Sequence, residues 1–261
     1  MNALHIAASG MLAQELNVEV VSNNIANMRT TGFKRQRAEF TDLLYQNLRR
    51  MGTDSSDAGT VVPTGTQIGS GVRFAATSRI TTQGSLETTS KPLDVAIRGE
   101  GYFRVQMPDG RTAYTRDGSF ELSANGTIVT KDGYTVGSGI VVPPDARSIT
   151  INAQGTVQVA TGTSSTPTTL GRLELANFVN APGLEAIGDN LFLETPASGA
   201  AQVGNAGDAG LGTLLQNNLE SSNVNAVAEI SDLIAAQRAY EMNSRVIKAA
   251  DEMLSSTATM T

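Results

Sequence analysis

The stretch YFRVQMPDGRTAYTRDGSFELSANGTIVTKDGYTV, residues 102–136, carries a turn dipeptide every seven or eight residues. The dipeptides are Asp109-Gly110, Asp117-Gly118, Asn125-Gly126 and Asp132-Gly133. Each predicts a type I′ hairpin turn, in which both central residues need positive φ. Because the runs between them are short and rich in β-branched and aromatic residues, the stretch predicts a mainly antiparallel, all-β central domain.

The strand pattern continues on both sides of this stretch. The predicted strands are 94–97, 102–107, 113–115, 120–122, 128–130, 134–136, 140–142, 148–151, 157–159, 171–178 and 191–193. Residues 50–71 have the composition of a long loop or extended arm, and 197–212 that of a second flexible stretch. Apolar residues at helical spacing over 37–48 predict a short amphipathic helix before the arm.

Both ends of the chain carry apolar residues seven positions apart. These residues are Leu4, Met11, Val18 and Ile25 near the start, and Leu233, Tyr240, Ile247 and Leu254 near the end. This spacing keeps one apolar stripe on one side of an α-helix, as in helices that wind against a partner. We therefore predict long helices over 2–28 and 225–258 that pack as a coiled-coil-like pair, and an α+β fold.

The terminal helices are more apolar than one partner helix can cover. A second strip, consisting of Ala239, Met242, Val246, Ala250 and Met253, runs beside the heptad stripe of the C-terminal helix. Ordering about 55 residues costs roughly 1–2 kcal/mol each, whereas one seam of about eight apolar side chains returns roughly 1.5–3 kcal/mol apiece. We expect these helices to become fully ordered when further copies of the chain surround them.

Composition argues against several classes of function. A net charge of −6 is unfavourable for binding nucleic acid, and the short basic cluster between Arg29 and Arg50 is expected to be solvated or at an interface. The chain has no cysteine and a single histidine, His5, expected on a helix surface. Gly99-Glu100-Gly101 lacks the third glycine of a dinucleotide loop and predicts a turn between strands. We predict no catalytic, cofactor-binding or metal-binding residues, and no enzyme activity.

The run from Ser22 to Lys34, SNNIANMRTTGFK, resembles the signature of the bacterial flagellar axial proteins, the rod and hook family. The family-motif residues are Ser22, Asn23, Asn24, Ala26, Asn27, Thr31, Gly32 and Phe33. Segments 91–103, 114–120, 222–225 and 237–243 also resemble the family, so that the resemblance covers the whole chain. Within the family, residues 33–46 are most similar to distal-rod proteins.

The resemblance implies a structural subunit that polymerises into the distal rod of the flagellar basal body, a rigid drive shaft that transmits torque from the motor to the hook across the periplasm. It implies four domains: an N-terminal core helix (1–30), a connector with the short helix and the arm (31–71), an outer β-domain (72–220) and a C-terminal core helix (221–261). In distal-rod proteins, an insertion at the position of 50–71 contacts neighbouring subunits.

The resemblance also implies the partners. They are further copies of the chain, proximal-rod and hook proteins at the two ends, ring proteins of the outer membrane and peptidoglycan, and the flagellar type III export gate. Phe40 and Leu44 resemble the motif recognised at that gate; alternatively, they form an apolar i,i+4 face in the assembled rod. The N-terminus lacks the pattern of a secretory signal peptide, which predicts export without cleavage.

Three alternatives stay open at this point. A proximal-rod subunit would share the fold but would depend less on residues 50–71. A β-rich oligomeric surface-binding module with coiled-coil ends, such as a trimeric adhesin, would form a discrete oligomer with a ligand groove. An enzyme is the most remote reading, because the sequence shows no catalytic constellation.

Overall fold

The computed structural model describes residues 2–49, 51–52, 64–162 and 167–259. The chain divides into two compact units, each assembled from separate segments. Unit 1 consists of 1–25, 36–78 and 226–261, and unit 2 of 26–35 and 79–225.

Unit 1 contains the two predicted helices, α1 (Asn2–Ala26) and α2 (Ala226–Thr259). Two contacts show that they run antiparallel. The side-chain amide Nδ2 of Asn24 donates to Oε2 of Glu229 at 3.0 Å, and a Cβ added at Gly10 would lie 2.8 Å from Nδ2 of Asn243. In the described part of the chain, neither helix offers the apolar length needed to cross a lipid bilayer.

The remaining part of unit 1 is β-structure. β1 (Gln36–Asp42) pairs with β4 (Val72–Arg79), and β2 (Tyr45–Arg49) pairs with β3 (Thr66–Gly69) in an antiparallel hairpin. The prediction of a short helix over 37–48 is therefore wrong. Pairing with strands distant in sequence, including an edge-to-face contact of Phe40 with Phe74 at 5.9 Å, overrides the weak local helix pattern.

The predicted arm is therefore not a loop throughout. Its end at 66–69 is strand β3, while residues 50 and 53–63 of the predicted arm lie outside the described residues.

Unit 2 is built around one nine-stranded antiparallel sheet. The strands of this sheet are β7 (Tyr102–Gln106), β8 (Thr112–Thr115), β9 (Glu121–Leu122), β10 (Ile128–Val129), β11 (Thr135–Val136), β15 (Glu174–Asn177), β16 (Glu185–Gly188), β17 (Leu191–Leu193) and β18 (Gln202–Asn205). Their order in the sheet is β16-β17-β8-β7-β11-β10-β9, with β15 also pairing with β7 and β18 pairing with β15.

Smaller sheets complete unit 2. A three-stranded sheet joins β12 (Ala146–Ile151), β13 (Thr156–Thr161) and β14 (Thr168–Arg172). Two antiparallel pairs join β5 (Leu86–Thr88) to β20 (Asn218–Glu220), and β6 (Val95–Arg98) to β19 (Thr213–Gln216). A single 3₁₀ turn spans Ala181–Gly183.

Three of the four quoted dipeptides are in hairpin turns, but not in the predicted type. At Gly110, Gly126 and Gly133 the glycine alone has positive φ, and its N–H donates to the carbonyl three residues earlier. This is a type I turn that closes on a left-handed glycine, the usual three-residue hairpin loop. Asp117-Gly118 is not such a turn, since Gly118 is not left-handed and packs against the carbonyl of Val95.

Most other predicted strands are confirmed, with two corrections, and the predicted flexible stretch 197–212 is also corrected. Residues 140–142 contribute only one isolated bridge, between Thr127 and Val141. The predicted strand 171–178 is divided between β14 and β15, which pair with different partners. The segment 197–212 is not a flexible stretch throughout, because it contains β18, which is paired along its length with β15.

The core of unit 2 lies between these sheets. Its largest fully buried side chains include Phe103, Ile97 and Leu175, and the rings of Phe103 and Phe120 meet edge to face at 5.0 Å. A second aromatic cluster contains Tyr102, Tyr114, Phe178 and Phe192. Burial raises the pKa of both of these tyrosines.

Candidate assembly site

Helix α2 exposes large apolar side chains along its length. The exposed ones are Val227, Ile230, Ile234, Tyr240, Met242, Val246, Met253 and Leu254. In contrast, the buried residues among the described side chains of α2 are Glu229, Ala236 and Ala250, one narrow line of mostly small side chains. Of the predicted heptad residues, Leu233 and Ile247 are half-buried. Each exposed large side chain would contribute about 1.5–3 kcal/mol if it became fully covered.

Helix α1 is better covered than α2. Its predicted heptad residues Leu4, Met11, Val18 and Ile25 are all half-buried. The buried residues of α1 lie beside them: Ala7, Ala13, Val21 and Asn24. His5 is on the exposed helix surface, as predicted.

The hairpin β2–β3 presents a second exposed apolar surface. Leu44, Tyr45, Leu48, Met51 and Ile68 are all exposed, and Leu44 is 87% accessible. A two-stranded hairpin is marginally stable on its own in water, so these side chains are available to a partner that would stabilise it. The two residues of the predicted export motif belong here: Phe40 packs on Phe74, and Leu44 follows β1. They do not form a helical i,i+4 face, because β1 is a strand.

The first half of the family motif ends α1. Ser22, Asn23 and Ala26 are exposed, whereas Asn24 is buried. The Asn24 side chain accepts from the backbone N–H of Gln36 at 2.9 Å and donates to the Gln36 carbonyl at 2.8 Å. It therefore satisfies the backbone at the start of β1.

The second half of the motif is a turn in unit 2. The N–H of Thr30 donates to the carbonyl of Asn27, and Gly32 donates to the carbonyl of Glu220 at 2.7 Å. Gly32 has φ +70° and a Cβ there would lie 2.8 Å from the carbonyl carbon of Arg116. Only glycine fits this position without strain. Thr31 accepts through its carbonyl from Asn190, and Phe33 is half-buried.

A buried charge cluster follows the turn directly. Lys34, Arg116 and Glu220 are 3%, 6% and 1% exposed. The Glu220 carboxylate accepts from Nζ of Lys34, from Nε of Arg116 at 2.6 Å and from the N–H of Gly84 at 2.9 Å. Lys34 also donates to the carbonyl of Thr82 at 3.0 Å. We call these three charged residues the buried triad.

The cations of the buried triad also donate hydrogen bonds to backbone carbonyls. The Arg116 guanidinium also donates to the carbonyls of Ile97, Gly99 and Gly101. These glycines form the predicted turn between β6 and β7, with φ of +110° and +126°. Buried charges need such compensation, because removing them from water is costly.

The electrostatics of the buried triad favour the charged carboxylate form of Glu220. Burial by itself would raise the pKa of Glu220, but Arg116 and Lys34 outweigh burial and hold it below its ordinary value. Burial lowers the pKa of Lys34, against the opposing effect of Glu220.

The side chain of Asn223 forms a second set of hydrogen bonds beside the buried triad. Asn223 Oδ1 accepts from the N–H of Arg35 at 2.7 Å, and its Nδ2 donates to the carbonyls of Ile80 and Thr82 at 2.9 and 3.0 Å. Asn223 belongs to the segment 222–225 that resembles the family. The segments around residues 34, 82 and 223 are thus tied together within unit 2.

Sequence reasoning did not find the buried triad. Lys34 was expected to be solvated or at an interface with the rest of the basic cluster, and that prediction is wrong. The available signals were indirect: Lys34 and Arg116 both belong to quoted family segments, but Glu220 has no local pattern. Among the described residues, no three or more His, Cys, Asp or Glu side chains are grouped as metal ligands.

Comparisons with known proteins agree along the chain. Residues 4–34 match the family described as flagella basal body rod protein, 96–159 match the flagellar hook protein FlgE/F/G D1 domain, and 215–260 match the flagellar basal body rod FlgEFG protein C-terminal family. The chain is 58% identical to the flagellar basal-body rod protein FlgG of Caulobacter vibrioides, over 99% of this chain and 98% of the relative.

More distant relatives extend the same match. The proteins of that name from Agrobacterium fabrum and Bacillus subtilis are 53% and 38% identical to the chain. The alignments cover 98% and 97% of this chain, and 97% of each relative.

Proposed function

Since this chain belongs to the family of flagellar basal-body rod proteins, we propose that it polymerises into the distal part of the rod, the shaft that transmits torque from the motor to the hook. Its role is structural and not enzymatic. The observation that carries this proposal is the row of large apolar side chains that α2 leaves exposed over its length.

Assembly gives those side chains a place to be buried. A helix that is apolar on several faces needs several neighbours; the described contacts of α2 within unit 1 include those to Gly10 and Asn24, while its large apolar side chains named above stay exposed. In the polymer, the heptad residues Leu4, Met11, Val18, Ile25, Leu233, Tyr240, Ile247 and Leu254 would line the helical core. Repeated contacts of this kind between identical subunits produce a filament when the rotation does not close.

The hairpin β2–β3 and the arm support the distal position. Leu44, Leu48 and Ile68 would contact a neighbouring subunit and resist bending between subunits. If the hairpin proves irrelevant to straightness, the proximal-rod alternative gains support.

The remaining parts of the proposal follow from the family. The four domains 1–30, 31–71, 72–220 and 221–261 would be core helix, connector, outer β-domain and core helix. The ends of the polymer would meet proximal-rod and hook proteins, and ring proteins would surround it in the periplasm. Phe40 and Leu44 would act earlier, at the type III export gate, and the chain would be exported without cleavage of a signal peptide.

Electron microscopy of the concentrated full-length protein tests the polymerisation. The parent chain should form straight tubes, whereas M242S/V246S, which removes two exposed apolar side chains of α2, should stay unassembled. The control is V141S/V179S, which removes two exposed apolar side chains of unit 2, and it should form tubes like the parent. Tubes from M242S/V246S equal to the parent's would refute assembly through α2. A small closed oligomer from the parent would favour the surface-binding module.

The hairpin is tested separately in the same assay. The variant L44S/L48S should still polymerise, but into curved or fragmented filaments, because the hairpin contacts are lost while the helices are unchanged. Straight tubes of normal length would contradict the distal assignment while leaving polymerisation intact.

A further inference from the structure

The seven-residue repeats leave the alignment of α1 with α2 ambiguous. Sliding one helix past the other by seven residues, about 10.5 Å at 1.5 Å per residue, leaves each seven-residue stripe on the same side of its helix, so that the apolar pattern alone does not distinguish the two registers. The stripes alone therefore stabilise several registers almost equally, as repetitive apolar seams do in general. Some other feature has to choose between them.

Two contacts exist in one register only. Asn24 and Glu229 are 1% and 0% exposed, and Asn24 donates to the Glu229 carboxylate at 3.0 Å. Fourteen residues away on each helix, the side chain of Asn243 fills the space where Gly10 has no Cβ. In an antiparallel pair, residues that lie opposite each other have residue numbers with a constant sum. This sum is the same for both contacts, so they belong to a single alignment of the two helices.

A slip by seven residues breaks both contacts. In one direction, Asn24 moves opposite Ala236 and Asn243 moves opposite Asn17, whose side chain occupies the space that Gly10 leaves free. In the other direction, Asn243 meets Ala3 and its Cβ, while Glu229 gains Asn17 as a substitute partner. Gly10 is the only glycine in α1, so that the close approach to Asn243 excludes both slips.

Both features are unfavourable on local grounds. A glycine inside a helix costs about 1 kcal/mol relative to alanine, and burying a carboxylate requires compensation. Buried polar residues at single positions are known to select one register of a helix pair at a cost in stability. We propose that the Asn24–Glu229 and Gly10–Asn243 contacts set the antiparallel register of α1 against α2 and prevent a slip of one heptad. This inference concerns contacts within one chain and does not depend on the rod.

The absence of cysteine from the natural chain allows a direct test by intrachain disulfide formation. Gln14 lies four residues after Gly10 on α1, and Tyr240 lies three residues before Asn243 on α2, so that the two positions are adjacent across the pair. The pair Q14C/Y240C therefore reports the observed register. The pairs Q14C/I247C and Q14C/L233C report slips of seven residues in the two directions.

The reporters are compared in three backgrounds at a concentration where helical circular dichroism is maximal. In the parent, Q14C/Y240C should cross-link at least about tenfold faster than the slipped pairs. In N24L/E229L/G10A, the slipped pairs should become comparable to it. The control E15L/E241L changes exposed acids on the same helices and should behave like the parent. Intrachain products are counted on non-reducing gels, so polymerisation does not affect the readout.

Three results would overturn the proposal: equal cross-linking of all pairs in the parent, slipped pairs that stay slow in N24L/E229L/G10A, or slipping in the control. If the triple mutant loses its helices, a second set of variants still tests the proposal. Gly10→Ala alone should slow cross-linking of Q14C/Y240C, and adding Asn243→Ala should restore it by removing the clashing amide. Failure of that rescue would show that the close approach does not set the register.

Discussion

Replacing Glu220 by glutamine should destabilise unit 2 more than any other single loss of charge in its described part. The substitution keeps the shape of the side chain but removes the negative charge that holds two buried cations. Its new NH₂ group would also face Lys34 or Arg116, both of which are donors.

The magnitude follows from burial and bonding. Glu220 is 1% exposed and accepts from two cations and one backbone N–H. Hydrogen bonds to charged groups contribute about 1.5–3 kcal/mol each, and removing one partner of a buried ion pair typically costs about 3–5 kcal/mol. With a urea m-value of about 2 kcal/mol/M, the midpoint of unfolding should fall by about 1.5–2.5 M.

Near-ultraviolet circular dichroism of the tyrosines is the assay. Tyr102 and Tyr114 are buried in unit 2, whereas Tyr45 and Tyr240 in unit 1 are exposed, so the signal reports the unfolding of unit 2. The matched control is Glu174→Gln, whose partner Arg104 lies at 2.7 Å in a pair with 33% and 42% exposed side chains. Exposed pairs contribute about 0–1 kcal/mol. A loss in E220Q no larger than the loss in E174Q would refute the argument from burial.

Acidification should act on the same carboxylate, because the pKa of Glu220 is lower in the folded protein than its ordinary 4.5. The unfolded chain therefore binds the proton more tightly than the folded protein does. The stability that this group contributes is complete above about pH 4.5 and is lost as pH falls through the lowered pKa. Urea midpoints between about pH 6 and 3 should therefore fall more steeply in the parent than in E220Q. Gly32→Ala should lower the free energy of unfolding more than Gly110→Ala, as measured in thermal melts. Positive φ costs about 1–2 kcal/mol in both variants, and a Cβ at Gly32 also collides with Arg116. Equal losses of stability in the two variants would contradict that collision. Phe103→Ala, at a fully buried position, should lower the free energy of unfolding by about 3–5 kcal/mol, as measured in urea, and a loss under about 1 kcal/mol would contradict its place in the core.

The parts of the fold that sequence reasoning predicted are those with strong local signals. Long seven-residue patterns placed α1 and α2 to within two residues, and turn glycines such as Gly126 located the hairpins of the central domain. The hairpin type was wrong because an Asx-Gly pair suits two kinds of loop, and the flanking strand ends decide between them.

Several of the strands that were missed are held by distant partners. β4 pairs with β1, and β19 pairs with β6, and their own sequences lack regular alternation. The predicted helix over 37–48 failed for the same reason, since apolar spacing in a short segment does not distinguish helix from strand.

In the candidate site, too, some features could be predicted from the sequence and others could not. The apolar stripe and the second strip of α2 could be predicted, because periodicity reports which faces lack polar groups. The buried triad could not, because the type of a charged residue does not report its burial. Arg116 and Glu220 are 104 positions apart, and only the complete fold brings them together.

The long-range bonds of the N-terminal segment determine when it can fold. Lys34 finds its carboxylate 186 positions later, and Asn24 finds its partner 205 positions later. A ribosome releases the N-terminus first, so Lys34 lacks its carboxylate partner until residue 220 has been made, and Asn24 lacks its carboxylate partner until residue 229 has been made. Loops of this length close slowly. Neither unit can therefore be completed during synthesis of its early segments, and the final step of folding in both units waits for the C-terminal end of the chain.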